Sequence, residues 1–123
     1  MKRVDPKDMS LDQLIDRFIV IALDQDEAIQ KEKNAKFNRL FREMRSIEDE
    51  LKHRPSDQRN SLIRFLKHPN AQVRLRAAIA TLALVPDAAR ETLQNISDLN
   101  EYPQAPDARG ILRGLDDGSY TPS

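Results

Sequence analysis

Apolar residues in this chain recur at steps of three and four, and no stretch alternates them one by one. That spacing lines one face of an α-helix and excludes a half-buried strand, so it predicts an all-α fold. Three glycines and six aromatic residues supply too few turn and strand formers for a β architecture or a glycine-looped nucleotide site. Ser10 and Gln13 form a capping box, behind which Leu11, Leu14, Ile15, Phe18, Ile19 and Ala22 keep the helical step. A first helix over 11–24 follows. Residues 24–27, three of them acidic, then read as a short junction, with Asp26 capping a second helix that nothing interrupts before Pro55. Phe37, Leu40, Phe41, Met44, Ile47 and Leu51 share one of its faces, while 30–36 hold only Ala35 as an apolar residue. This second helix, about 27 residues or 40 Å at 1.5 Å per residue, is expected to pack lightly in its first half. Its excess over the first helix leaves self-association open.

Four shorter helices complete the pattern. Ser56 is expected to cap a third helix over 57–67, and Asn70 a fourth in which Val73, Ala77, Ala80 and Leu84 oppose Leu75, Ala78, Leu82 and Val85. A helix apolar on two sides is buried between layers. Pro86 is expected to close it, Asp87 to cap a fifth helix, and Asp107 to cap a sixth carrying Gly110 and Gly114. Six antiparallel helices then group as three stacked hairpins in a single helical domain, 1–123, with flexible ends at about 1–9 and 118–123.

Leu66, Pro69, Asn70, Val73, Arg74, Ala77, Ala78 and Leu82 follow the phrasing of a helical repeat. Over 66–82 the chain resembles the turn and second helix of a HEAT-like (armadillo-type) repeat. The resemblance implies an α-α superhelix acting as an interaction scaffold, with Arg74 bonding a neighbouring turn. Over most of its length the chain also resembles a small bacterial family known only as a domain of unknown function, numbered 2019. The phrases around Arg17-Phe18-Ile19, Ala35-Lys36-Phe37, His53-Arg54-Pro55 and Glu101-Tyr102-Pro103 carry that likeness, which implies a bacterial origin and no activity.

Candidate chemistry is sparse. His53 and His68 lack the spacing and acidic third ligand of a zinc site. Asp24 and Asp26 begin like a calcium loop, but its sixth and twelfth positions are Ile29 and Ala35. Asp12 and Asp16 stand opposite the apolar stripe of the first helix and are expected to be solvated rather than paired for acid/base work. No cysteine, phosphate-binding glycine loop or nucleophile elbow occurs. The expectation is no enzyme, no metal and no cofactor. The longest apolar run, 18–23, is far short of the roughly 20 residues that span a bilayer. With Lys2, Arg3 and Lys7 mixed among Asp5 and Asp8 there is also no export signal, so no membrane partner and a cytoplasmic location are expected.

Charge carries the remaining information. The net charge is zero, but it is unevenly placed: −3 over 1–30, +7 over 31–76 and −4 over 77–123. Convergence of Lys36, Arg39, Arg42 and Arg59 would make an interaction surface for an acidic protein or a phosphate. The first reading is a protein-interaction or scaffold module, monomeric or homodimeric, such as an immunity or accessory protein. The alternative is weak binding of nucleic acid or phosphate through 31–76, disfavoured because Tyr102 and Tyr120 lie outside that segment.

Overall fold

The computed structural model describes residues 4–123 and is all-α, with five α-helices, two 3₁₀ segments and no strand among the described residues. Residues 1–3, part of the end expected to be flexible, lie outside the described residues. Packing groups the chain into two compact units, residues 1–61 and 62–123, each taken by itself.

In the first unit, α1 spans Leu11–Gln30 and α2 spans Asn34–His53. The expected capping box opens α1: Ser10 Oγ accepts from Gln13 N–H at 3.1 Å, and Gln13 Oε1 accepts from Ser10 N–H at 2.8 Å. The helices pack along each other, α1 burying Leu14, Phe18, Ile21 and Ala22 and α2 burying Leu40, Met44, Ile47 and Leu51. Each large side chain so buried contributes about 1.5–3 kcal/mol. The boundary between the helices differs from expectation. Residues 24–27 contain no helix breaker, and Gln25 and Ala28 continue the buried stripe from Ile21, so α1 runs through the acidic junction. Its end is a Schellman closure: Glu32 takes φ 55°, Lys33 N–H bonds Ala28 O at 2.8 Å, and Glu32 N–H bonds Ile29 O at 3.1 Å. Both helices are therefore 20 residues long, and the length mismatch that left self-association open is gone. The light packing expected at the start of α2 is present, since Leu40 is its first buried residue.

Residues 5–9, expected to be flexible, are held to the end of α2. Asp5 caps a 3₁₀ turn, Pro6–Asp8, and Arg54 Nη2 donates to Met9 O at 2.7 Å and Pro6 O at 3.2 Å. Arg54 Nε donates to Glu50 Oε2 at 2.6 Å, which fixes the guanidinium in that position. Beyond Pro55, Ser56 and Asp57 both take positive φ, 67° and 48°. Arg59 N–H donates to Asp57 Oδ1 at 3.3 Å, so the capping side chain is one residue later than the expected Ser56.

The third expected helix is a 3₁₀ segment, Gln58–Lys67. Asn60 and Ser61 are weak α-formers, and three-residue bonds at its ends, Asn60 N–H to Asp57 O and His68 N–H to Phe65 O, set the tighter winding. In the second unit, α3 spans Ala71–Thr81, α4 spans Pro86–Asp98 and α5 spans Gln104–Asp117. Asn70 Oδ1 caps α3 as expected, accepting from Gln72 N–H at 2.8 Å and Val73 N–H at 3.1 Å. Val73, Leu75, Ala77 and Ala78 are all buried, so α3 is enclosed on both its apolar sides. Its main packing is on α4, in place of the expected pairing with the 57–67 segment, whereas α4 packs on α5 as expected of the fifth and sixth helices. Pro86 opens α4 rather than closing its predecessor, because a proline at the first helical position gives up an N–H that has no partner there. By the same logic Pro106 sits inside the first turn of α5, which begins at Gln104, ahead of the expected Asp107 cap. The Tyr102–Pro103 peptide is cis. The expected tail folds back in part, for Tyr120 N–H bonds Gly114 O at 3.1 Å.

Candidate functional site

A groove of about 820 Å³ lies in the first unit between the 3₁₀ turn, α1 and α2. Val4, Pro6, Met9, Ile21 and Ile47 give it an apolar floor. The N-terminal turn contributes two of these residues because Arg54 pins it, so the groove depends on a contact made 45 residues along the chain. Four charged side chains stand around the floor: Arg17, Arg39, Arg42 and Glu43. Arg17 Nη2 pairs with Glu43 Oε2 at 2.9 Å, and Glu43 is only 14% exposed. Arg39 and Arg42 are exposed, and their guanidinium groups make no ion pair or hydrogen bond among the described residues.

Of the four residues that charge patterning singled out, the structure brings Arg39 and Arg42 together at this groove. Lys36 lies one turn earlier on α2, half-buried, and with Lys33 lends attraction to Glu27, whose carboxyl is held below its ordinary range chiefly by a 2.8 Å bond from Lys31. Arg59 is not available to a partner. It is buried and engages Asp57 with two bonds, Nε to Oδ1 at 2.8 Å and Nη2 to Oδ2 at 2.6 Å, which hold the Asp57 carboxyl below its usual range. Arg17, Pro6 and Met9 were not legible as site residues. Arg17 carried a signal, a lone cation between Leu14 and Ile21 at the edge of the buried stripe, whereas nothing local to Pro6 or Met9 announces a contact with Arg54.

In the second unit, Arg74 holds two turns at once. Its Nε donates to His68 O at 2.7 Å, while Nη1 and Nη2 meet the Glu101 carboxylate at 2.7 and 2.8 Å. The Arg74 hydrogen bonds hold the Glu101 carboxyl below the ordinary carboxylate range, and Glu101 in turn raises Arg74. Leu99 and Tyr102, on either side of Asn100 and Glu101, are the most exposed large apolar residues described, at 72% and 84%. The histidines have structural contacts: His53 Nδ1 lies 2.7 Å from Asp49 O, and His68 Nδ1 accepts from Asn70 N–H at 3.0 Å. Asp24 and Asp26 lie inside α1 and do not cap α2; Asp12 and Asp16 are exposed. Among the described residues no cluster of three or more His, Asp or Glu side chains could hold a metal ion, and no helix is long and apolar enough to cross a membrane.

The described residues thus form a helical pair with a charged groove and, later in the chain, three packed helices. The chain belongs to the family described as a domain of unknown function, DUF2019, whose model matches residues 12–116. It is similar to the protein RPA1889 from Rhodopseudomonas palustris CGA009, known from its crystal structure, at 42% identity and a TM-score of 0.93, over 98% of this chain and 100% of that one. No curated protein matches it.

Proposed function

We propose that this protein is a non-catalytic protein-interaction module and that the groove of residues 1–61 is its binding face. The observation that carries this reading is the contrast among its cations. Arg17, Arg54, Arg59 and Arg74 are each consumed by an internal carboxylate, while Arg39 and Arg42 have no ion pair among the described residues and stand beside an apolar floor. Leaving two guanidinium groups exposed at an apolar recess creates a surface that gains from an anionic, partly apolar partner. An immunity or accessory role, and a HEAT-like scaffold built on 66–82, belong to the same class. Exposure of Leu99 and Tyr102 adds support for protein contact. Nucleic acid is disfavoured because, among the described residues, no aromatic side chain on which a base could stack lines the groove.

The test is affinity capture with the tagged full chain and its Arg39→Ala/Arg42→Ala variant, followed by mass spectrometry. A protein retained by the wild type and lost with the double variant is expected. Capture of nucleic acid alone, or of the same proteins by both forms, would sink the reading.

A further inference from the structure

We infer that the occupant of the groove is an acidic amphipathic helix of a partner protein, an inference that rests on the interaction reading above. The first reason is backbone chemistry. The described residues form no strand, so an extended peptide finds no sheet edge to join, and its N–H and C=O groups would lie unsatisfied on the floor of Val4, Met9, Ile21 and Ile47. A helix satisfies its own backbone and can present apolar side chains to that floor.

The second reason is spacing. Arg39 and Arg42 are three residues apart on α2, which places them on neighbouring turns of one face about 4.5 Å apart along the axis. Carboxylates three or four residues apart on a partner helix have the same spacing and can meet the two guanidinium forks together. The third reason is polarity along the groove. Glu43, paired with Arg17, sits among the lining residues and repels a further carboxylate, so the partner's acidic residues belong beside Arg39 and Arg42 and its uncharged residues beside the Arg17–Glu43 pair. The lining on α2 runs from Arg39 to Ile47, about 12 Å or two turns, which sets the minimum helix length.

The test uses three synthetic peptides of about 16 residues, a length of 24 Å as a helix. One has a leucine stripe flanked by glutamates three and four apart and is fixed as a helix by a side-chain lactam. The second replaces those glutamates with glutamines, and the third carries a central proline in place of the lactam. Fluorescence anisotropy with the full chain should show binding of the first, weakened about tenfold by Arg39→Ala and again by Arg42→Ala, the effect of losing one charge-assisted bond of about 1.4 kcal/mol each time. Arg45→Ala, an exposed change outside the groove lining, should leave binding unaltered, and circular dichroism should confirm that all variants are folded. Equal binding of the glutamine or proline peptide overturns the acidic helix, as does equal binding by the double arginine variant. Failure of the helical peptide, alongside an arginine-dependent captured protein, overturns the helix and leaves the interaction reading standing.

Discussion

Two glycines on one helix carry opposite consequences. At Gly110 an added Cβ would meet nothing within 4 Å, so Gly110→Ala changes only backbone propensity and should stabilise the protein by about 1 kcal/mol. At Gly114 the same Cβ would lie 2.9 Å from Tyr120 Cβ and 3.4 Å from Ser119 Oγ, too close without movement of the returning chain. Gly114→Ala should therefore destabilise by about 1 kcal/mol net, overpacking outweighing propensity. Thermal melts of both variants, with and without deletion of 119–123, decide the matter: the deletion should turn Gly114→Ala into a stabilising change. Glu32 raises a related question. It occupies a left-handed position that glycine fills without strain, so Glu32→Gly should add about 0.5–1 kcal/mol in urea titration. A loss of stability would mean that the Glu32 side chain does something the backbone argument omits.

At the scale of elements, the amphipathic stripes and side-chain caps were readable. Ser10 and Asn70 cap where their neighbours' spacing says they should, and the Leu40, Met44, Ile47 and Leu51 stripe is buried as a unit. Helix ends without such a residue were not readable. The turn at 31–33 has neither glycine nor proline, and the acid-rich segment 24–27 looked like a junction although the buried stripe passes through it at Gln25. Proline signals were ambiguous in another way, since Pro86 could close one helix or open the next. The candidate site was half legible: Arg39 and Arg42 follow from charge patterning on one helix, but its N-terminal wall depends on Arg54 reaching back across the chain. That dependence can be tested. Arg54→Ala removes the bonds to Pro6 O and Met9 O and should cost about 1–3 kcal/mol. Hydrogen exchange should then accelerate at the Asp8 and Met9 amides, which close the 3₁₀ turn, while the α1 amides at Phe18 and Ile21 keep their protection. Unchanged exchange at Asp8 and Met9 would show that the turn stands without Arg54.

For the whole molecule the relevant variable is pH. Twenty basic residues balance twenty acidic ones near neutrality, so acidification builds net positive charge as it removes the carboxylates that restrain Arg59 and Arg74. Both carboxylates titrate in the folded protein below their ordinary values of 3.8 for Asp57 and 4.5 for Glu101, chiefly through the hydrogen bonds from those arginines. The unfolded chain therefore binds more protons than the folded one in the acid range, and stability rises with pH there. The contribution of Glu101 is fully present above about pH 5 and is lost as pH falls from 4.5 through its lower folded value. Because the pair is partly exposed, Glu101→Gln should cost only about 1–2 kcal/mol at pH 7. That cost should shrink as the wild-type carboxylate becomes protonated, and the stabilities of wild type and variant should converge as pH falls below its folded value. Urea denaturation of both proteins at several pH values measures the difference directly. A gap between them that does not narrow as pH falls from 7 into the acid range below 4.5 would show that Glu101 acts through packing alone, and that the charge on the Arg74–Glu101 pair contributes nothing to holding the α4–α5 turn.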